Sequence, residues 1–400
     1  MKRLNQNILI IAFIGLAWFS ASDCLAEPAT NSSSSPTNYQ PALSVTNTKS
    51  PLVMRGLYAN RNTSGVKSSA RAPSDAVIRG LRWLQQSQNK DGSWGTGTDD
   101  LDATTGIAVL AFLGHGETPA SSEFGKTVEQ GMKYLLTSMM ATNRPVLSGQ
   151  PPALAISTWA VCESYSSTRI FALLPAVEKG LAVIQKGQKQ SGLWDGNFSP
   201  DKGGDDVDVS VWQVLALKSG LMMGSHEELR ESLGKALGAM KTTLETKPKL
   251  GSVLGAVFCL QLCGEGQSPV CQGALSDLAT LTPDWKAPSC SDPIFRWYLA
   301  TQAFFYKGGE QWKRWNLLFA PQLIEHQIIS QVVQDKSVGY WDSPGSGERY
   351  GRVYTTALSI MNLEVYQIRI LPTYNKNYKP TPSQNDGKDK TEDIVVDVVN

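Results

Sequence analysis

Gly106-Ile107-Ala108-Val109-Leu110-Ala111-Phe112-Leu113 offers no charged or polar side chain to any face of a helix. A helix that is apolar all round must be enclosed by neighbours, whereas one with a single apolar stripe lies on a core and shows water its other side. Five more runs of this apolar, small-residue kind follow: Leu154–Cys162, Val209–Leu217, Gly251–Cys263, Phe295–Tyr306 and Val353–Tyr366. A more amphipathic stretch precedes each run: Ala76–Gln88, Thr127–Met139, Ala176–Gln188, Glu227–Leu244, Gln272–Leu281 and Trp312–Val332. The pairs recur roughly every 45 to 50 residues, the mark of a repeat architecture in which no unit buries its apolar face alone.

Open repeat arrays need polar capping units at both ends. Here the first apolar run and the last, with Tyr354-Thr355-Thr356-Ala357-Leu358, are as apolar as the middle ones. Closure of the last hairpin onto the first explains this. The sequence therefore predicts an all-α protein, an (α/α)6 toroid of six helical hairpins over residues 74–374. The second helix of each pair lines a central cavity and the first forms the wall.

The two ends read differently. Lys2-Arg3, the apolar run Ile8–Trp18 and Cys24-Leu25-Ala26 before Glu27 form a signal-peptide pattern over residues 1–26, cleaved after Ala26, so an exported protein, periplasmic or extracellular, is expected. The apolar run is shorter than the ~20 residues a membrane-spanning helix needs, and no later segment qualifies, so the chain does not read as an integral membrane protein. Residues 27–73 are rich in Ser, Thr, Asn and Pro and read as a disordered tether. Residues 375–400 read as a flexible tail, ending in the alternating run Ile394-Val395-Val396-Asp397-Val398-Val399, which can fray or pair with a strand.

Thirty-seven basic residues against 36 acidic ones leave no electrostatic footprint for nucleic acid. Five cysteines follow the signal: Cys162, Cys259, Cys263, Cys271 and Cys290. In an oxidising compartment Cys263 and Cys271, on either side of the turn Gly264–Pro269, can bridge, while Cys162 and Cys259 read as buried thiols.

Two segments share the pattern Gln-x3-Gly-x-Trp: Gln88 to Gly92 and Trp94, and Gln188 to Gly192 and Trp194. A looser copy runs from Gln334 to Gly339 and Trp341. Glycine in a left-handed cap ends the outer helix, tryptophan folds back over that end, and glutamine satisfies orphan helix-end groups. They read as structural staples. With the six hairpins and an acidic loop before an inner helix, these staples make the chain resemble the squalene cyclase and protein prenyltransferase superfamily, the terpenoid cyclase-like α/α toroids. The resemblance is closest to short exported bacterial cyclase-repeat proteins. It rests on Val209–Lys218, on Trp297–Ala303 through Gly308–Asn316, and on Gly351–Leu358. It implies the toroid and a central cavity suited to an apolar or isoprenoid ligand.

Asp99-Asp100-Leu101-Asp102 precedes the first inner helix and Asp205-Asp206-Val207-Asp208 the third. In a toroid of hairpins the inner helices run parallel, so both loops meet at one rim. Asp342, Glu348, Arg349, Tyr350 and Arg352, before the sixth inner helix, join them there. Any one of these aspartates can simply cap its helix. Three carboxylates in four positions exceed what one cap requires, and such a cluster can hold a divalent cation, supply acid and base, or bind a cationic ligand. No other cofactor is expected.

Class II terpene cyclases protonate an alkene with the middle acid of an Asp-x-Asp-Asp run. Asp206-Val207-Asp208 matches its first three positions, making Asp208 the implied acid and Asp206 its orienting partner. Val209 stands where the last Asp belongs, and triterpene cyclases use two toroids, so polycyclisation is not implied. The zinc of protein prenyltransferases needs Asp, Cys and His. Val209–Trp212 supply no cysteine, and His115, His226 and His326 lie away from the inner-helix starts, so no metal ligand is assigned. Cys263-Gly264-Glu265-Gly266-Gln267 has one residue more than the Cys-Gly-Glu-Gln thioester of complement-like toroids, and the likeness is coincidental.

Trp159, Trp212, Phe295, Trp297, Tyr298 and Tyr354 lie on or at the start of inner helices, where they either pack the core or face the cavity. Candidate ligand contacts are thus Asp102, Trp212, Trp297, Tyr298, Asp342, Arg349, Arg352 and Tyr354. The sequence leaves three functions open: a cyclase-like toroid binding a hydrophobic small molecule, a non-enzymatic scaffold for another exported protein, and a carbohydrate-active (α/α)6 enzyme using acidic pairs and tryptophans.

Overall fold

Four of the six apolar runs lie wholly in helices; Cys263 falls just past the helix of the fourth, and the sixth leaves its helix at Leu363, its last residue, Tyr366, lying outside the described residues. The computed structural model describes residues 73–374 apart from 97–100, 142–150, 197–203, 225, 227, 247–248, 287–291, 334–335, 346–350 and 366–370. The expected signal peptide, tether and tail, as well as Asp99, Asp100, Cys290, Glu348, Arg349 and Tyr350, lie outside the described residues.

Among these residues there are twelve α-helices in six successive pairs. The first pair is α1 (Pro73–Gln86) and α2 (Leu101–Gly114), followed by α3 (Gly125–Met140) and α4 (Pro151–Thr168). Then come α5 (Leu174–Lys186) with α6 (Val207–Met222), and α7 (Leu229–Glu245) with α8 (Leu250–Leu262). The last pairs are α9 (Pro269–Asp277) with α10 (Pro293–Lys307), and α11 (Gly309–Glu325) with α12 (Gly351–Leu363). The even-numbered helices are the apolar ones and make up most of the buried core. Helix α2 packs on α4, α4 on α6, α6 on α8, α8 on α10, α10 on α12, and α12 on α2. Each odd-numbered helix packs against the even-numbered helix that precedes it, and α1 packs against α12.

One expectation fails. The stretch Trp312–Val332, read as one helix, ends its helical part at Glu325 and continues as strand β1 (Ile328–Val333), antiparallel to β2 (Lys336–Tyr340). Ile328, Ile329, Val332 and Val333 are β-branched, which costs χ1 freedom in a helix and suits a strand. The protein is therefore mostly helical, with one small sheet.

The Gln-x3-Gly-x-Trp segments are the joints. Trp94 Nε1 donates to Leu84 O at 2.7 Å and its backbone N–H to Thr105 Oγ1 at 3.0 Å, tying the end of α1 to the start of α2. Trp194 repeats this with Ile184 O at 2.7 Å and Ser210 Oγ at 3.0 Å, and Trp341 with Leu323 O at 2.7 Å and Thr356 Oγ1 at 3.2 Å. Glutamine reaches the next hairpin. Gln88 Nε2 donates to Gly92 O and to Thr127 O of α3, both at 3.0 Å, and Gln188 Nε2 donates to Gly192 O at 2.8 Å and Ser232 O of α7 at 2.7 Å. Gly92 (φ 91°) and Gly192 (φ 96°) are left-handed, and a Cβ on either would strike a backbone carbonyl of the next odd-numbered helix.

Gln334 lies outside the described residues, and at the last hairpin Gln327 takes this part. Its Nε2 donates to Ala76 O of α1 at 2.8 Å, and its Oε1 accepts from Arg79 Nε at 2.7 Å. The β-hairpin inserted between Gln327 and Trp341 hides the motif's spacing in the sequence. Glycines repeat the same step. A Cβ on Gly131 of α3 would lie 2.7 Å from Val109 and 2.8 Å from Trp94. One on Gly80 of α1 would lie 2.9 Å from Ile360 and 3.0 Å from Trp341. The sixth hairpin thus holds the first by the device that joins the first to the second.

Gln327→Ala is expected to lower stability by about 1–3 kcal/mol, as for a buried polar group that loses its partner. Gln88→Ala should cost a similar amount. Urea midpoints of the two variants check this, and a silent Gln327→Ala would show that the joint between the last and first hairpins contributes nothing.

Candidate functional site

The acidic segment before α6 folds as a cap. Asp206 is the N-cap residue, and its Oδ1 accepts from the backbone N–H groups of Asp208 at 2.9 Å and Val209 at 3.1 Å, two donors that a helix start leaves open. Asp205 accepts from Ser191 Oγ at 2.8 Å. Asp208, in the first turn, pairs through both carboxylate oxygens with the two terminal nitrogens of Arg296 on α10. Helix α8 contacts both α6 and α10, and Arg296 passes it at Gly251, where a Cβ would collide with the guanidinium.

Neighbouring helix starts are also engaged. Asp292 is the N-cap of α10, ahead of Pro293, and accepts from Phe295 N at 3.3 Å and from the Tyr354 hydroxyl of α12 at 3.0 Å. Asp102 accepts from Ser138 Oγ of α3 at 2.7 Å, and its carbonyl from Ser157 Oγ of α4 at 3.0 Å. Asp342, half-buried, pairs with exposed Arg352 through Nε at 2.6 Å, and the Arg352 guanidinium lies 5.0 Å from the Tyr340 ring centre. Both carboxylate oxygens of Asp208 are thus engaged by the Arg296 guanidinium, in a side chain that is about a third exposed. Among the described residues no group of three or more acidic, His or Cys side chains is arranged to hold a metal ion.

The aromatic candidates divide. Trp212 of α6 stacks on Phe295 of α10 with ring centres 4.7 Å apart, and Phe295 lies 6.4 Å from Tyr298. Trp159 of α4 lies 6.2 Å from Trp212 and 6.3 Å from Tyr374, and the Tyr374 hydroxyl bonds that of Tyr298. Side chains from three even-numbered helices and the short 3-10 turn Pro372–Tyr374 thus form one buried aromatic cluster. Trp297 points elsewhere, against Phe319 of α11 and Trp285.

Several of these residues went unnoticed in the sequence. Glu163, fully buried on α4, accepts through Oε1 from Trp159 Nε1 at 3.1 Å, Ser219 Oγ at 2.9 Å, Thr373 N at 3.2 Å and the Thr373 hydroxyl. Its Oε2 is buried without a partner, and burial raises its pKa above the ordinary 4.5. The signal was there: Glu163 directly follows the apolar run ending at Cys162, where a carboxylate has no solvent-facing side. Arg296 and Asp292 were legible only as a charged residue in an apolar helix and as an Asp-Pro helix start. At the opposite helix ends, His115 Nδ1 bonds Glu364 Oε1, and burial raises the Glu364 pKa as well, against the favourable charge of His115.

The four described cysteines are free thiols. Cys271 is turned into the core, its Sγ 4.0 Å from Val257 O, so no Cys263–Cys271 bridge is present. A surface cleft of about 540 Å³ lies between α1 and β2, where Arg82 and Lys336 both pair with Glu123; it contains none of the nominated residues. No protein-family model matches the chain, and no curated protein matches it.

Glu163 and Glu364 hold their protons more tightly folded than unfolded, so above about pH 4.5 each binds more proton in the folded chain than in the unfolded one. Their contribution to stability should be complete below that value and fall as pH rises through the raised values. Glu163→Gln should flatten the decline, as read by urea midpoints from pH 4 to 9; a slope unchanged in this variant would remove Glu163 as its source. Burial pushes the Cys263 and Cys271 thiols up to about 11, so a thiol reagent at pH 8 should label them slowly in the native chain and rapidly in urea.

Proposed function

We propose that the chain is an exported (α/α)6 toroid of the terpenoid cyclase-like kind that serves as a non-enzymatic scaffold for another exported protein. The closed order of contacts from α2 through α12 back to α2, and the repeated Trp, Gln and Gly joints between the sixth hairpin and the first, support the toroid. The bidentate Asp208–Arg296 pair carries the non-enzymatic reading. The carboxylate in the position of a cyclase acid is committed to a guanidinium, and its neighbour Asp206 to a helix cap. A glycosidase needs two carboxyl groups roughly 5–10 Å apart across an open cleft. Asp102, Asp206, Asp208, Asp292 and Asp342 are each bonded within the protein, which weakens that reading.

One observation favours a second reading, in which the centre binds an apolar or isoprenoid molecule. Trp159, Trp212, Phe295 and Tyr298 converge from three even-numbered helices, an apolar lining with few polar groups of the kind small-molecule sites use.

Two measurements on the purified full chain separate the readings. A scaffold retains one exported partner in fixed stoichiometry, equally well with Asp206→Ala and Asp208→Ala, and its lipid extract shows no enriched species by mass spectrometry. An enriched isoprenoid or sterol-like lipid, lost on Trp212→Ala, would overturn the scaffold in favour of the ligand-binding reading.

A further inference from the structure

The even-numbered helices complete their cycle of contacts without the segment that follows α12, yet residues 371–374 of that segment lie among them. Leu371, Thr373 and Tyr374 are all buried. Tyr374 reaches α10 twice, its carbonyl accepting from the Tyr306 hydroxyl at 3.3 Å and its own hydroxyl bonding Tyr298, while its ring packs on Trp159 of α4. Thr373 gives its backbone N–H and its hydroxyl to Glu163. Tyr306 lies in the last turn of α10, and Glu163 and Ser219 lie in the C-terminal halves of α4 and α6. These contacts put Thr373 and the Tyr374 carbonyl near the end at which these helices finish, opposite the acidic helix starts.

Two features distinguish it from ordinary core. Its anchoring combines hydrogen bonds from Thr373 and Tyr374 with packing of the Tyr374 ring, contacts that another hydroxylated aromatic molecule can reproduce. It also leaves the pocket unsaturated, because Glu163 Oε2 remains buried with no partner. A buried polar atom without a partner calls for an explanation, and a ligand hydroxyl within reach of Oε2 would supply one.

We propose that Thr373 and Tyr374 form a removable plug, and that Tyr374 holds the place of a hydroxylated aromatic ligand in a pocket made by Trp159, Trp212, Phe295, Tyr298 and Glu163. The plug opens without unfolding the helices around it. Binding from outside then requires displacement of the chain's own tyrosine, so the resident segment lowers the apparent affinity by the fraction of time it is docked. This holds whether or not the protein also serves as a scaffold.

The test compares the full chain with a chain ending at Leu371, using p-cresol, which reproduces the tyrosine ring and hydroxyl, and benzene, which lacks the hydroxyl. By calorimetry the shortened chain should bind one p-cresol at least about tenfold more tightly than the full chain does, and at least about tenfold more tightly than it binds benzene. Equal binding by both chains, no binding by a shortened chain with unchanged circular dichroism, or indifference between p-cresol and benzene would each overturn the proposal. Hydrogen exchange on the full chain gives a second measurement should the shortened chain fail to fold. The amides of Thr373 and Tyr374 should exchange at least about tenfold faster than those of Trp159 to Cys162. Exchange at the same rate as those helix amides would make the segment permanent core and overturn the plug.

Discussion

A helix that is apolar on every side has no face to give to water, and this protein has several. Enclosing them requires that each even-numbered helix touch others of its kind as well as its odd-numbered partners, and the order of contacts satisfies that requirement. The tryptophan joints set the spacing. One indole donates to a carbonyl near the end of an odd-numbered helix while its backbone N–H meets a hydroxyl of the next even-numbered helix, so the loop between them cannot drift. The glycines at 80 and 131 bring neighbouring helices close enough for the indole to fill the gap.

That enclosure makes every polar group inside expensive unless it is paired. Lys218, buried on α6, donates to Leu262 O at the end of α8, where the helix dipole favours a cation. Trp315 Nε1 finds Thr301 Oγ1 at 3.0 Å. Glu163 gathers donors from three different segments and still has one oxygen unpartnered. Among the described helix starts, Asp206 and Asp292 cap their helices, and Asp102, Asp208, Asp292 and Asp342 bond side chains of other segments.

Much of the helical framework was legible because both of its signals are local. Apolar periodicity marks the helices, and Gln-x3-Gly-x-Trp marks two of the joints within seven residues. The third joint was misread because a β-hairpin separates Gln327 from Trp341, and Gln334 stands at nearly the expected spacing. The candidate site was much less legible. Asp206 could be foreseen as a cap, but nothing near Asp208 in the sequence names Arg296, which lies 88 residues away. Tyr298 and Trp297 are adjacent on α10, yet successive residues on a helix point about 100° apart, and only packing shows which one turns inward.

Taken alone, the sequence determined the number and order of the helices and which of each pair is buried, since hydropathy and helical period depend only on residues close together in the chain. The tertiary structure decided what the buried ends of those helices do. It gave Asp208 to Arg296 across Gly251, set Tyr374 among Trp159, Tyr298 and Tyr306, and surrounded Glu163 with donors from α4, α6 and the segment after α12. These pairings depend on which distant segments the enclosure of apolar helices brings within hydrogen-bond reach, and no local pattern encodes that.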